Sequence, residues 1–325
     1  MNYESFKNAL DKAQKVIVIQ AENPDGDSLG SALCLEEVLG DMGKEVSLYC
    51  PVDIPKYLRY LDGWSRVSND FDFKADMAIV VDTAAEVLLS KLLCDKAIQN
   101  FLEHKPVLVV DHHFDTEPDL KFSHELILEK AVATSEVLFR IYKELGYKVN
   151  AEAARCAMAA ILSDTLGLSS QNVTGDTYRV SAELLDLGAS VAEIEEARRQ
   201  LMKKTPEMLL YKAKLIERVE YYLDGRLAIV HIPWDEIKEY SDQYNPNVLI
   251  QEELRLVEGV EVSVAVKTYP DGKLTGKIRS DAPIAVELAG YFGGGGHEHA
   301  AGFRIYDSYE NTLAELVKVT GDLLQ

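Results

Sequence analysis

Apolar runs of strand length alternate with helical segments through the first half of the chain. The apolar runs lie at 15–20, 45–50, 77–81 and 107–110. Apolar residues recur at helical spacing at 29–42, 134–145, 151–162 and 176–187. The runs at 77–81 and 107–110 are almost wholly apolar, which is typical of parallel strands buried on both faces. We therefore expect an α/β fold, a parallel sheet with helices on both faces.

The second half of the chain predicts a smaller α/β unit. Its predicted strands lie near 227–232, 260–268 and 274–279, and its predicted helices near 284–291 and 309–324. Between the halves, 191–222 is a charged helical stretch interrupted at Pro206. The expected organisation is a catalytic domain at 1–190, a helical connector at 191–222 and a substrate-binding domain at 223–325. The active site is expected in the cleft between the two domains.

Four acidic or acid–imidazole clusters end apolar runs of the first half. They are Asn23-Pro24-Asp25-Gly26-Asp27, Asp82-Thr83, Asp111-His112-His113 and Ser163-Asp164-Thr165. Ligands of open α/β sheets bind beyond the carboxyl ends of the strands, so these side chains should converge on one cleft. Carboxylates combined with imidazole favour Mn²⁺ or Mg²⁺ over the thiolate-rich sites of structural zinc. The pattern predicts a divalent-metal site.

The first cluster has two interpretations. Pro, Asp and Gly are common turn formers, and Asp caps helices, so the cluster could be structural only. Alternatively, Asp25 and Asp27, two residues apart, could offer carboxylates to two neighbouring cations, with Gly26 allowing a tight backbone path.

The third cluster is harder to explain by packing, because adjacent histidines follow an aspartate at a strand end. One imidazole suits metal ligation, while its neighbour, pointing elsewhere, can contact a phosphate or donate a proton. Asp82 and Asp164 are weaker signals on their own, since an aspartate at the end of a strand or helix can serve as a cap.

The second half offers a candidate phosphate site in the run Gly293-Gly294-Gly295-Gly296-His297. A flexible linker is the alternative interpretation. Consecutive glycines let backbone N–H groups form a nest for phosphate oxygens, and His297 follows at once. Arg279 and Ser280, at the end of a predicted strand, could add a guanidinium and a hydroxyl to the same phosphate.

A net charge of −20 over 325 residues argues against long nucleic acid as the substrate. Binding a long phosphate backbone needs a track of Lys and Arg, whereas a small phosphorylated ligand needs only a local metal site. No apolar run is long enough to span a bilayer, and the charged first segment does not resemble a signal peptide. We expect a cytoplasmic protein with no membrane partner. The sequence is compatible with a homodimer, although no feature of it determines the oligomeric state.

Taken in order, these motifs resemble the DHH phosphoesterase superfamily, specifically the standalone proteins with a DHH domain followed by a DHHA1 domain. That resemblance covers nearly the whole chain. It implies that Asp27, Asp82, His112 and Asp164 hold one Mn²⁺. It also implies a second Mn²⁺ held by Asp25 and Asp82, with Asp82 bridging the two ions.

The resemblance assigns further roles. It places His113 at the scissile phosphate and makes it, with Asp111 of the same motif, a candidate catalytic residue. It also implies that Arg279, Ser280 and a loop bind the rest of the nucleotide. The loop residues are Gly294, Gly295, Gly296 and His297.

Ala21 departs from the family pattern, which has a histidine four residues before the first aspartate. The second metal site therefore lacks its imidazole and is expected to be weaker. Water could fill the position, or Glu22 could swing in, although alternation along the strand points it away. Ala21 could also mark a crippled enzyme, either natural or engineered.

The expected activity is metal-dependent hydrolysis of short oligonucleotides or small nucleotides to mononucleotides, with short RNA, pApA, pAp and cyclic di-AMP as candidate substrates. Mn²⁺ is the expected cofactor and Mg²⁺ the alternative. One rival is a catalytically impaired nucleotide-binding homologue, because of Ala21. A second rival is an inorganic pyrophosphatase of related fold, against which the Gly293–His297 run argues.

Overall fold

The computed structural model describes residues 3–114, 117–241 and 244–325, and for Glu252 the backbone only. The chain divides into two compact units, Met1–Lys203 and Lys204–Gln325. The segment predicted as a connector contributes one helix to each unit.

The first unit contains eight helices and six strands within its described residues. The helices are α1 (Glu4–Lys12), α2 (Gly26–Asp41), α3 (Ser90–Leu93), α4 (Lys96–His104), α5 (Thr134–Leu145), α6 (Ala151–Asp164), α7 (Gly175–Asp186) and α8 (Val191–Leu201). The strands are β1 (Lys15–Ile19), β2 (Glu45–Tyr49), β3 (Val67–Ser68), β4 (Met77–Val81), β5 (Val107–Asp111) and β6 (Glu125–Leu128). Short 3₁₀ helices lie at Lys56–Leu58, Trp64–Arg66 and Glu86–Leu89.

The six strands of the first unit form one parallel sheet in the order β3-β2-β1-β4-β5-β6. Alternate residues of β1 and β4 enter two separate cores. Val18 and Ile79 pack with side chains of α2, α5 and α6, whereas Ile17 and Val80 pack with those of α4. The predicted parallel sheet with helices on both faces is confirmed. Because both faces are covered, β4 is apolar throughout, as are β1 after Lys15 and β5 before Asp111.

The second unit contains five helices and six strands within its described residues. The helices are α9 (Pro206–Glu217), α10 (Trp234–Tyr240), α11 (Pro246–Leu254), α12 (Ala285–Tyr291) and α13 (Tyr309–Leu323). The strands are β7 (Glu220–Tyr222), β8 (Leu227–Ile232), β9 (Val262–Thr268), β10 (Lys273–Ser280), β11 (Gly295–His297) and β12 (Ala300–Tyr306).

These strands form a mixed sheet in the order β11-β12-β10-β9-β8-β7, in which only the β8–β9 pair is parallel among the described pairs. One face packs its apolar residues, such as Val264 and Ile278, against α12 and α13. The other face is covered by α9, α10 and α11 along β8 and β9, where Val230 and Ala265 are buried. Along β10 and β12, alternate residues of that second face are only partly buried or exposed.

Several elements differ from the sequence-based prediction. Helix α2 begins at Gly26 rather than at residue 29, because the Asp25 carboxylate caps it. Strand β12 was not predicted, since Ala300, Ala301 and Gly302 lack the β-branched or aromatic residues typical of strands. Other elements that the sequence did not predict are the short strands β3, β6, β7 and β11 and the helices α1, α3, α4, α10 and α11.

Across the described residues, none of the helices combines the length and apolar character needed to cross a bilayer.

Candidate functional site

Helix α2 presents Asp27 from its first turn, beyond the end of strand β1. The Asp25 carboxylate Oδ1 accepts hydrogen bonds from the N–H groups of Asp27 (3.0 Å) and Ser28 (2.9 Å), which are otherwise unpaired at a helix start. The Ser28 hydroxyl accepts the Asp25 N–H in return, at 3.1 Å. This reciprocal cap fixes the direction in which the next carboxylate points.

A close contact between two helices brings Asp27 towards Asp164. A Cβ added to Gly26 would lie 2.2 Å from Ser163 Oγ, and one added to Gly30 would lie 2.8 Å from the Cys156 carbonyl oxygen. Only glycine therefore allows α2 and α6 to approach this closely. Ser163 directly precedes Asp164, so the helix contact sets the position of that carboxylate relative to Asp27.

The Asp27 carboxylate is buried and held by hydrogen bonds. Ser31 Oγ donates to Oδ1 at 3.0 Å, and Ser135 N–H donates to the same oxygen at 3.2 Å. Thr134 N–H donates to Oδ2 at 2.5 Å. Thr134 and Ser135 open helix α5, and its N-cap Ala133 has no side-chain cap of its own. Asp27 thus lies where a helix N-terminus favours negative charge.

His112 lies among three carboxylates. Its Nε2 atom is 3.4 Å from Asp82 Oδ1, 3.4 Å from Asp164 Oδ2 and 3.7 Å from Asp27 Oδ2. Nε2 is buried and makes no hydrogen bond of acceptable geometry within the described residues. Its Nδ1 atom lies 3.3 Å from the Ala131 carbonyl oxygen, which orients the ring.

Two overlapping groups of these side chains have ligand atoms close enough to share an ion. Asp27, His112 and Asp164 form one group, and Asp82, His112 and His113 the other, with the ligand atoms of each group within 4.8 Å of one another. A buried imidazole nitrogen without a partner, surrounded by carboxylate oxygens, fits a divalent cation of the Mn²⁺ or Mg²⁺ type.

The electrostatics of this carboxylate and imidazole cluster favour a bound cation. Burial raises the pKa of Asp82, and the Asp27 charge raises it further. Burial likewise raises the pKa of Asp164 to about 6. Burial opposes a charged His112, yet the carboxylates of Asp164 and Asp82 raise its pKa to about 11. The excess of negative charge that retains a proton on His112 would attract a metal ion in the same way.

Asp82 adopts a left-handed backbone conformation, with φ of 65°. This region costs energy for a residue other than glycine, although Asp tolerates it better than most. This backbone conformation, directly after strand β4, sets the direction of the Asp82 side chain. Thr134 Oγ1 donates a hydrogen bond of 3.1 Å to Asp82 Oδ1. Strain of this kind is often found at functional sites.

His113 and Asp111 form a separate pair. His113 Nδ1 lies 2.7 Å from Asp111 Oδ1, and that oxygen also accepts the N–H groups of His112 (2.7 Å) and His113 (3.2 Å). Burial would raise the pKa of Asp111, but the contact with His113 outweighs it and lowers the pKa. About half of the His113 side chain is exposed. His113 Nε2 is therefore the ring nitrogen left to meet a ligand.

Sequence reasoning missed the contribution of the loop before α5. Glu136 Oε2 accepts the Val132 N–H at 3.2 Å, and Arg140 Nη1 donates to the Lys130 carbonyl oxygen at 3.1 Å. These bonds hold the loop that supplies the Ala131 carbonyl oxygen to His112. The Thr-Ser-Glu sequence at 134–136 signals a helix start, but nothing in it indicates a contact with Asp27 more than a hundred residues earlier.

In the first motif, the Glu22 carboxylate bonds to a neighbouring helix. Its Oε2 atom accepts hydrogen bonds from Ser90 Oγ (2.9 Å) and Lys91 N–H (2.7 Å) at the start of α3. Glu22 therefore does not fill the place of the missing imidazole in this structure, in line with the strand alternation that points it away. Ala21 itself is buried. Asp25 belongs to neither of the two groups of close ligand atoms, and its role at a second metal stays a prediction.

In the second unit, cross-strand register places Arg279 and His297 on the same face of the sheet. Arg279 lies opposite Ala300, and Ala300 lies opposite His297. Ser280 points to the other face, where its hydroxyl is buried without a hydrogen-bond partner in the described part of the chain.

The glycine run forms the end of α12 and strand β11. Gly293 N–H donates to the Gly290 carbonyl oxygen (2.9 Å), and Gly294 N–H donates to that of Ala289 (2.8 Å). These two N–H groups cannot also line an anion nest, so that part of the expectation is wrong. Gly295 and Gly296 pair with β12, and a Cβ on Gly296 would lie 2.6 Å from the Ala300 carbonyl oxygen.

Comparison with known proteins identifies both units. The family model for the DHH family, N-terminal domain, matches residues 15–161, and the model for the DHHA1 domain matches residues 236–325. A bifunctional oligoribonuclease and PAP phosphatase, NrnA, from Thermus thermophilus is 30% identical over 282 residues, which cover 86% of this chain and 81% of that protein.

A manganese-dependent inorganic pyrophosphatase from Bacillus subtilis is 26% identical over 211 residues, covering 61% of this chain and 64% of the relative. The solved structure of an exopolyphosphatase-related protein from Bacteroides fragilis superposes with a TM-score of 0.82 at 21% identity. That match covers 99% of this chain and 96% of the other, and it shows a shared fold. With both family models matched in order along one chain, this protein belongs to the DHH/DHHA1 family of phosphoesterases.

Proposed function

We propose that this chain is a Mn²⁺-dependent phosphoesterase that hydrolyses short oligonucleotides or small nucleotides, such as pApA and pAp, to mononucleotides. The observation that carries the proposal is the meeting of Asp27, Asp82 and Asp164 around the unpartnered Nε2 atom of His112. The NrnA relative supports the substrate class, and the manganese-dependent relative supports the metal.

Asp27, Asp82, His112 and Asp164 would hold the first Mn²⁺, and Asp25 with Asp82 the second, weaker one. When bound, such ions activate water and neutralise charge on the phosphate oxygens of the substrate. The hydrogen bonds to Asp27 and the Thr134 hydroxyl bond to Asp82 would hold these carboxylates in place before any ion binds. Preorganisation of this kind reduces the cost of binding.

His113 would meet the scissile phosphate. Its Nδ1 is engaged by Asp111, so the remaining ring nitrogen can hydrogen-bond a phosphate oxygen or transfer a proton to the leaving oxygen. The contact with Asp111 holds the His113 ring in a fixed orientation for this role. Arg279 and His297, on one face of the second sheet, would bind the remainder of the nucleotide, with the glycines at 294–296 beside them. The Ser280 hydroxyl lies on the opposite face, so the role expected for it at this phosphate is not proposed.

An inorganic pyrophosphatase is the weaker alternative. The pyrophosphatase relative aligns with 61% of this chain, whereas the NrnA relative aligns with 86%, and the DHHA1 match extends to the last residue. A binding protein without catalysis is the other alternative, and it rests on Ala21 alone.

A substrate panel tests the proposal. The chain is incubated with Mn²⁺ and, separately, pAp, pApA, cyclic di-AMP, RNA dimers to pentamers and inorganic pyrophosphate. We expect mononucleotide or phosphate release from the short nucleotides, and loss of release in EDTA and in Asp82→Asn. Turnover of pyrophosphate alone would support the pyrophosphatase. Binding of pApA without turnover at any Mn²⁺ concentration would support the binding protein.

A further inference from the structure

A nucleotide offers a phosphate and a flat aromatic base, and the acidic clusters of the first unit account only for the phosphate. Stacking on exposed aromatic side chains is a common way in which proteins bind unpaired bases. Among the described residues of the first unit, four Tyr or Phe side chains are at least half exposed, namely Tyr57, Phe73, Phe114 and Tyr178. Their contacts decide which ring can meet a base at the metal site.

Tyr57 contacts the first acidic cluster directly. Its hydroxyl donates a hydrogen bond of 3.3 Å to the Pro24 carbonyl oxygen, in the turn that leads to Asp25. Burial raises the pKa of the Tyr57 hydroxyl, and the charge of Asp25 raises it further, so the tip of the ring lies within the field of an expected metal ligand. The hydroxyl is the anchored end of this side chain, whereas 58% of the residue remains exposed.

The segment that carries Tyr57 is fixed to the core. Tyr57 is the middle residue of the 3₁₀ helix Lys56–Leu58, and Pro55 precedes that helix. Ile54 and Leu58, on either side, are buried in the core that also contains the apolar side chains of α2. A ring that is held through its backbone and its hydroxyl loses little conformational entropy when a ligand stacks on it, which favours binding.

The other three exposed rings are placed differently. Phe73 packs on a neighbouring phenylalanine, with ring centres 4.9 Å apart, and precedes the amino end of β4, whereas Asp82 follows the carboxyl end of that strand. The Tyr178 hydroxyl donates to the Leu168 carbonyl oxygen at 3.3 Å. Phe114 directly follows His113 in the chain, but it has no polar atom to anchor its ring. Tyr57 is therefore the exposed ring that is anchored to an acidic cluster.

We propose that the Tyr57 ring is the platform on which the base of the nucleotide bound at the metal site stacks. This inference rests on the proposed function and adds the residue that recognises the base. Every base has a flat π face, so the platform favours nucleotides in general without selecting one base. A phosphate compound without a base, such as inorganic pyrophosphate, gains nothing from Tyr57.

Calorimetric titration of the full chain in Mn²⁺ with AMP and with ribose 5-phosphate tests the platform, because these two ligands differ only in the base. AMP is a product of the proposed reaction, so its binding is measured without hydrolysis. We expect Tyr57→Ala to weaken AMP binding by about 5- to 150-fold, the range that stacking on an aromatic ring supplies, and ribose 5-phosphate binding by less than about twofold. Tyr57→Phe removes the hydroxyl bond to Pro24 but keeps the ring, and it should keep most of the AMP affinity.

Phe73→Ala is the matched control, since it removes an equally exposed ring before the other end of β4, and it should bind both ligands as the parent does. Equal losses for AMP and ribose 5-phosphate in Tyr57→Ala, or no loss for either, would overturn the platform. A loss of AMP affinity as large in Tyr57→Phe as in Tyr57→Ala would also overturn it, because the hydroxyl bond would then carry the effect. A parent that hydrolyses nothing on the substrate panel would contradict the proposed function, whereas an AMP-selective loss in Tyr57→Ala would still support the platform.

Discussion

At the scale of single residues, Ala21 is the clearest departure within an otherwise complete motif. The Glu22 carboxylate accepts hydrogen bonds from Ser90 and Lys91, so it does not fill the place of the missing imidazole in this structure. A site with Asp25 and Asp82 as its protein ligands should bind its ion weakly. We therefore expect the parent to need high Mn²⁺ for activity.

Ala21→His should raise the rate on a short substrate at low Mn²⁺ by at least about tenfold, which corresponds to about 1.4 kcal/mol of barrier. The measurement is initial rate against Mn²⁺ concentration for both proteins. Ala21→Gln, which adds comparable bulk without an imidazole, serves as control. If the parent already has a high rate at low Mn²⁺ and Ala21→His does not raise that rate, then the alanine does not impair catalysis.

Thr134 is the residue that links two expected ligands, through its hydroxyl to Asp82 and its N–H to Asp27. Thr134→Val removes only the hydroxyl bond and keeps the shape. Because partners of metal ligands orient them, Mn²⁺ affinity should fall by about 10- to 100-fold. Thr134→Ser should retain affinity. Equal Mn²⁺ affinities for the valine and serine variants, measured by calorimetry, would rule out this linking role.

At the scale of secondary-structure elements, the contact between α2 and α6 assembles the site. Gly26→Ala would place a Cβ 2.2 Å from Ser163 Oγ and push apart the helices that carry Asp27 and Asp164. The free energy of unfolding should fall by about 1–3 kcal/mol, and Mn²⁺ affinity should fall with it.

Gly40→Ala in the same helix is the matched control, since nothing lies within 4 Å of its added Cβ. It should raise stability by about 0.5–1 kcal/mol. Chemical denaturation of the two variants, with and without Mn²⁺, gives both quantities. If Gly26→Ala kept the stability and Mn²⁺ affinity of the parent, the helix contact would not position the site.

Elements with a clear apolar pattern, either a continuous run or a helical spacing, could be predicted from the sequence, and elements without such a pattern could not. Strands β4 and β5 were predicted within one residue, because buried parallel strands are continuous apolar runs. Strand β12 could not be predicted, because the small residues at its start have low strand propensity. The four acidic clusters pointed to one site, but the loop that orients His112 depends on long-range bonds of Glu136 and Arg140 that no local pattern encodes.

At the scale of the whole molecule, the strong net negative charge limits the length of the nucleic acid that this chain can bind. The net charge of −20 disfavours binding of a long phosphate backbone, whereas a short nucleotide needs only a local metal site. Turnover of an RNA pentamer should therefore far exceed that of an RNA of about 25 nucleotides at matched concentration. Similar rates on both, in a gel-based assay with end-labelled RNA, would contradict this charge argument.

The central claim is that side chains from four separate segments form a metal centre. Diffraction from crystals soaked in Mn²⁺, recorded near the manganese absorption edge, tests it most directly. The account predicts an anomalous peak bounded by Asp27, Asp82, His112 and Asp164, and a weaker one beside Asp25. The absence of a peak among the first four residues, in crystals that bind Mn²⁺ elsewhere or not at all, would contradict the account.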